Sequence, residues 1–259
     1  MRYAGILRID HVMSLNRLYW IPSGMEAKAG AYVSYPFNEL VRLVALESRR
    51  QACAVVGEDL GTVPEGFRDT MRSANILSYR IFVFERRTDG SFVPPAQYPP
   101  LAAASAATHD IATLKGFWLG ADIAWRCRLG LYPDRRAQET EASERSRDRR
   151  LLLDALVREG LLSPVQIAEF LPEGEEPLYT TELGDAILVY LARSRARLML
   201  VQLEDVLAEV EQANLPGTTD AHPNWRRHLS TTLEEIGRGS ELRRMAALIE
   251  EARRRTATE

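Results

Sequence analysis

Ala54-Val55-Val56-Gly57-Glu58-Asp59-Leu60-Gly61 is a short apolar run that ends in two carboxylates. It follows directly on Phe37 to Cys53, where Phe37, Leu40, Val41, Val44 and Ala45 share one helical face. A helix running straight into a buried strand is the pattern of a β/α unit with parallel strands. The pattern repeats on both sides. Upstream, Gly5 to Ile9 reads as a buried strand ending in Asp10; downstream, Ala102 to Ala107 leads into Thr108-His109-Asp110. Between them, Ile76 to Glu85 reads as a further strand through Ile81-Phe82-Val83-Phe84. Pro64 to Ser73 reads as a helix, with Thr62 as its cap and Pro64 in the first turn. The fold class is α/β.

Beyond Asp110 the chain changes character. Asp134 to Leu153 is rich in Arg and Glu, and the helix it predicts continues to a stop at Gly160, then restarts at Ser163-Pro164. Pro172 to Pro177 is a loop, Glu182 to Arg197 an amphipathic helix, and Arg197 to Leu203 a last strand ending in Glu204-Asp205. Asn214-Leu215-Pro216-Gly217-Thr218 is a turn-rich loop, and Leu229 to Glu259 is mostly charged helix. These elements divide the chain into a barrel portion at 1–120 with the acidic motifs, a helical insertion at 121–178, and a closing segment at 179–259.

Length and composition narrow the class. The 259 residues suffice for one large domain or two small ones, and 46% hydrophobic with 27% charged residues is ordinary for a globular protein. A net charge of -3 gives no electrostatic case for nucleic acid or anionic lipid as a partner. No run approaches the ~20 apolar residues of a membrane span, and the opening Met1-Arg2-Tyr3 does not begin a signal peptide, so the expected location is the cytoplasm. Cys53 and Cys127 are the only cysteines, which fits a reducing compartment; Cys53, beside Val55 and Val56, reads as a small core residue.

Asp10, Glu58 and Asp110 stand about fifty residues apart, each at the end of an apolar strand. An Asp standing alone after a strand is usually a cap or turn residue. Three with the same placement point to one shared site at the rim where barrel active sites lie. Converging carboxylates are what glycosyl transfer needs: an ionised one to attack the anomeric carbon and a protonated one, ~5–5.5 Å away, to release the leaving oxygen. Asp10 suits the nucleophile, because Arg8 two residues earlier on the same strand face can hold it ionised. Glu58 suits the acid, because an apolar strand disfavours its charged form. Asp110, beside His109, suits hydroxyl binding and ring distortion.

A metal reading is the rival. Asp10-His11, Glu58-Asp59 and His109-Asp110 carry ligand types for a divalent cation, but adjacent strand residues face opposite ways, and no His-x-His or His-Glu-x-x-His spacing occurs. The spacing therefore argues against a metal. Aromatic residues cluster near the acidic motifs. Trp20 and Trp118, placed in loops after those motifs, are the candidates for sugar platforms, ahead of Trp225 in His222-Pro223-Asn224-Trp225.

Four ordered motifs carry a resemblance: Arg8-Ile9-Asp10-His11-Val12-Met13, Gly57-Glu58-Asp59-Leu60-Gly61-Thr62-Val63, Thr108-His109-Asp110-Ile111-Ala112-Thr113 and Asn214-Leu215-Pro216-Gly217-Thr218. They resemble the signatures of the 4-alpha-glucanotransferases (amylomaltases, or disproportionating enzymes) of glycoside hydrolase family 77. The similarity runs from Arg2 to about Leu229 and includes Gly30-Ala31-Tyr32-Val33 and Tyr35-Pro36-Phe37. Two departures stand out: Ser14 where Gly is common, and Ile111-Ala112 in place of a more polar or Pro-containing pair.

The resemblance implies a TIM-type barrel with helical insertions and a retaining transfer of α-1,4-glucan segments through a covalent glycosyl-enzyme. It matches Asp10 to the nucleophile, Glu58 to the general acid/base and Asp110 to the carboxylate that stabilises the transition state. Arg8 and His109 match residues lining the sugar site, and Asn214 with Pro216 falls in a loop like one bordering the glucan groove. The strand at Arg8–Asp10 resembles the fourth of the barrel, so the resemblance covers about strands four to eight. The expected architecture is a partial TIM-type barrel with a helical insertion subdomain. A maltooligosaccharide or α-glucan is the expected substrate, and a polypeptide supplying the first three strands the expected partner. A hydrolase using the same carboxylates is the alternative within enzymes; an inactive fragment that only binds glucan or a partner is the alternative outside them.

Overall fold

The computed structural model describes residues 1–258. Among the described residues there are seven strands: β1 (Ile6–Ile9), β2 (Arg17–Trp20), β3 (Ala31–Ser34), β4 (Ala54–Gly57), β5 (Leu77–Ile81), β6 (Ala102–Ser105) and β7 (Leu198–Leu200). Five form one sheet in the order β1-β4-β5-β6-β7, with β1 parallel to β4 and β4 parallel to β5. The chain is therefore α/β, and its sheet is that of a partial β/α barrel. β2 and β3 pair antiparallel as a separate ribbon, Tyr19 opposite Tyr32, which the sequence did not reveal.

Helix α1 (Phe37–Arg50) precedes β4 as the sequence predicts. Helix α2 begins only at Phe67 and ends at Ser73, because Gly66 takes left-handed backbone (φ 71°) and breaks the helix expected from Pro64. Ten residues of strand were expected from Ile76, but β5 stops at Ile81 and Phe82–Phe84 turns as a 3-10 helix. The reason is packing: Phe82 stacks on Phe92 at 4.7 Å and meets Tyr190 edge-on at 5.7 Å, so the apolar run bends into a side cluster.

The helices downstream are α3 (Leu114–Leu119), α4 (Ala121–Arg128), α5 (Arg135–Arg158), α6 (Gln166–Phe170) and α7 (Thr181–Ala192). They are followed by α8 (Leu203–Val206), α9 (Leu233–Arg238) and α10 (Glu241–Thr258). Asp134 caps α5 by accepting from the Ala137 N–H, and Gly160 takes φ 65° just past its end. Helix α7 ends at Ala192, short of the expected Arg197; the Arg195 N–H bonds the Pro95 carbonyl instead. The last strand is only three residues long, since Leu203 already opens α8 with Glu204 and Asp205 in its first turn.

Two compact units divide the described residues: 1–80 with 99–103 and 196–198, and 81–98 with 104–195 and 199–258. The first unit is built around Val12, Met13, Val41, Val55, Phe67, Met71 and Ile76. Phe37 and Phe67 stack at 4.8 Å across α1 and α2. Cys53 is buried, as its apolar setting suggests. In the second unit the buried side chains of α5 and α7, among them Leu152, Leu156, Leu183, Ile187 and Leu191, form the core. No helix among the described residues is long and apolar enough to cross a membrane.

Candidate active site

In the first unit, Asp10 and Glu58 leave the C-terminal ends of two paired parallel strands. Arg8 Nη2 lies 2.7 Å from Asp10 Oδ1, the same-face pairing expected from their spacing. The Arg8 guanidinium also lies over the Tyr79 ring, 5.4 Å from its centroid. Asp10 itself is open to solvent.

Glu58 is held from all sides and is 9% exposed. Its N–H continues the ladder to the Ile9 carbonyl at 2.9 Å, and its own carbonyl accepts from Val12 N at 2.9 Å. Its carboxylate accepts two main-chain N–H groups, Leu60 N on Oε1 at 2.8 Å and His11 N on Oε2 at 2.7 Å. The His11 bond needs a special backbone: His11 sits in the left-handed region (φ 41°, ψ 58°), a conformation that costs a non-glycine residue on the order of 1–3 kcal/mol. That turn, one residue after Asp10, fastens Glu58 to the end of β1. Gly57 is closely packed here: a Cβ on it would meet Met71 Cε at 2.7 Å and both Val12 methyls at 3.0 Å, so those side chains would have to shift.

Asp59, the next residue, entered the sequence reading only through the rival metal site. It is fully buried and completely bonded: Oδ2 accepts from Arg68 Nε at 2.6 Å and Ser78 Oγ at 2.8 Å, and Oδ1 accepts from Tyr79 N at 2.8 Å. Arg68 Nη2 also donates to the Asp59 carbonyl at 2.9 Å. A buried carboxylate is tolerated only with such partners. The adjacent acidic pair therefore splits in role: Glu58 toward the strand-end turn, Asp59 as an anchor to β5 and α2. Opposite-facing strand neighbours were the signal for this split.

In the second unit, Asp110 follows β6. Its N–H bonds Thr108 Oγ1 at 3.2 Å, His109 Nε2 lies 3.4 Å from its Oδ2, and Asn214 Nδ2 donates to its Oδ1 at 2.7 Å. Asn214 N also donates to the His109 carbonyl at 3.1 Å. The pairing of these two segments continues: Thr113 Oγ1 donates to the Glu209 carbonyl at 2.6 Å while accepting from Gly116 N to cap α3, and Leu114 N donates to Asp205 Oδ1 at 2.8 Å. Gly116 admits no side chain, because a Cβ there would collide with the Val210 carbonyl. Residues 205–214 thus splint residues 109–116. Burial pushes the Asp205 carboxyl up to about 6 against the Leu114 bond, which works the other way.

Among the remaining candidates, Trp20 lies on β2, not in a loop; it is exposed and its Nε1 donates to Tyr35 Oη at 3.0 Å. Pro216 is exposed in the turn after Leu215. Trp118 cannot serve as a sugar platform: it is helical, 0% exposed, and its Nε1 donates to the Leu178 carbonyl at 3.0 Å.

Parallel strands that end in carboxylates define this chain as a segment of a β/α-barrel protein. The family model described as 4-alpha-glucanotransferase matches residues 1–233. The chain belongs to that family, glycoside hydrolase family 77. It is 39% identical over 236 residues to the 4-alpha-glucanotransferase of Haemophilus influenzae, an alignment covering 91% of this chain and 33% of that protein. It is 36% identical over 230 residues to the 4-alpha-glucanotransferase of Mycobacterium tuberculosis, covering 87% and 30%. Its fold superposes on the crystal structure of amylomaltase from Corynebacterium glutamicum with a TM-score of 0.84 at 28% identity, over 96% of this chain and 36% of that one. The chain spans about a third of the length of the curated relatives it matches.

Proposed function

We propose that this chain carries the reacting groups of a retaining 4-alpha-glucanotransferase that moves α-1,4-glucan segments between maltooligosaccharides. The observation that carries the reading is the tethered pair of the first unit: Asp10 and Glu58 end adjacent parallel strands, and the residue after Asp10 donates its N–H to the Glu58 carboxylate. In the first half-reaction an Asp10 oxygen bonds to the anomeric carbon as the glycosidic C–O bond breaks, and Glu58 gives its proton to the departing oxygen. In the second, Glu58 takes the proton of an acceptor hydroxyl, whose oxygen displaces Asp10 from the anomeric carbon. Asp110 supports the oxocarbenium-like transition state through the sugar hydroxyls. Arg8, His109, Trp20, Asn214 and Pro216 contact the substrate in this reading.

The bordering strand β1 pairs with β4, and Ile6 on that strand is exposed. An edge of this kind suits pairing with further barrel strands, so a polypeptide supplying them is part of the proposal, as is action in the cytoplasm. No metal or organic cofactor is invoked.

Incubating the protein, with any polypeptide it needs for activity, with maltotriose tests the reading. Glucose and longer maltooligosaccharides should accumulate while the number of reducing ends stays nearly constant. A steady rise in reducing ends would assign the same carboxylates to a hydrolase.

A further inference from the structure

The loop after Asn214 presents an aromatic ring beside His109. Trp225 is 65% exposed, yet its backbone is left-handed (φ 59°), a conformation that bulky residues avoid. The loop is braced to keep it there. Trp225 N donates to the Ala213 carbonyl at 3.0 Å, and the Asn224 side chain accepts from Leu215 N at 2.9 Å while donating to Thr218 Oγ1 at 2.8 Å. The indole and the His109 imidazole lie 5.2 Å apart, inclined at 48°.

Trp225 is also one wall of a cavity of about 470 Å³, shared with Glu204, Glu209, Glu211, Arg227 and His228. That volume is in the range of small-ligand sites, ~300–1,000 Å³. Glu209 accepts from Ser230 N through Oε1, and Glu211 accepts from Trp125 Nε1 and Arg227 through Oε2. Those bonds fix both carboxylates while engaging one oxygen of each. A flat apolar face beside fixed carboxylates and a guanidinium matches a pyranose, which has C–H faces and a rim of hydroxyls. A buried aromatic would serve packing, and Trp118 does; Trp225 is held outward at a conformational cost.

We propose that Trp225 and this cavity form a subsite for glucosyl units of an α-glucan, adjoining His109; the inference rests on the proposed action on α-glucan. The indole stacks on one ring of the chain, and Glu209, Glu211 and Arg227 take its hydroxyls.

The test is fluorine NMR on the protein in its glucan-transferring form, labelled with 5-fluorotryptophan, whose four tryptophans give four resonances. The Trp225 resonance is the one lost in Trp225→Tyr. Titration with maltohexaose should shift it saturably, and Trp225→Gly, which relieves the left-handed strain, should weaken maltohexaose binding by about tenfold or more. Trp225→Tyr should recover most of that loss. A Trp225 resonance that stays fixed while maltohexaose binds, or unchanged affinity in Trp225→Gly, would overturn the subsite and leave the proposed function standing. Protein that binds no maltohexaose at all would overturn both.

Discussion

Glu58 and Asp110 are held by opposite strategies. Glu58 is fixed from within its own neighbourhood: two main-chain N–H groups on its carboxylate, the ladder of β1 and β4, and the buried Asp59 beside it. Asp110 stands on a loop whose order comes from a segment about a hundred residues later, through Asn214, Glu209 and Asp205. A carboxylate locked into the sheet suits proton transfer, where its position against the scissile oxygen must be kept. One held by a splint can be re-aimed by changes far from it in sequence.

The largest effect expected from breaking the first arrangement is on chemistry. Glu58→Gln should slow transfer from maltotriose by two to four powers of ten, the contribution of a general acid/base. With an α-glucosyl fluoride donor, whose leaving group needs no proton, the first step should be spared. Equal loss with both donors would remove Glu58 from the role.

Next comes stability, where the two regions should part. Asp59→Ala leaves the buried Ser78 hydroxyl and Tyr79 N–H without their acceptor and should cost about 3 kcal/mol in unfolding free energy. Asn214→Ala removes one half-buried bond to Asp110 and should cost only ~1 kcal/mol, while lowering turnover. Denaturant unfolding of both variants measures this; equal costs would erase the distinction between locked and splinted carboxylates.

The splint carries a pH signature. The Asp205 carboxyl is raised by burial from 3.8 to about 6, so its ionised form is the disfavoured one in the folded chain. Below about pH 4 both states are protonated and nothing is lost. Stability falls as pH rises toward 6, and above that the full penalty of about 3 kcal/mol is present. Asp205→Asn keeps the acceptor for Leu114 N and removes that penalty, so it should raise the melting temperature at pH 8 and change it little at pH 4. A variant equally stabilised at both values would contradict the assigned burial.

The two strategies also explain what was legible in the sequence. The β/α order, the helix at Phe37, and the pairing of Arg8 with Asp10 depend on contacts a few residues apart or on apolar runs, and they were readable. Element ends were not, where distant packing set them: Phe82 leaves β5 for Phe92 and Tyr190, and α7 stops where Arg195 bonds Pro95. The β2–β3 ribbon hid because its cross-strand pairs, such as Tyr19 with Tyr32, span a loop without alternation to announce it. That Asp59 faces away from Glu58 was legible, but its partners Arg68, Ser78 and Tyr79 were not, since they come from a later helix and strand. Trp118 and Trp225 were ranked by nearness to the acidic motifs, and their exposures reverse that order.

The central claim is that Asp10 forms a covalent bond to the sugar. The direct measurement is mass spectrometry of Glu58→Gln protein after a brief incubation with an α-glucosyl fluoride, followed by proteolysis and peptide sequencing. The account predicts one added glucosyl group on the peptide that contains Asp10, absent in Asp10→Asn. A label on another residue, or none while fluoride is released at the parent's rate, would contradict it.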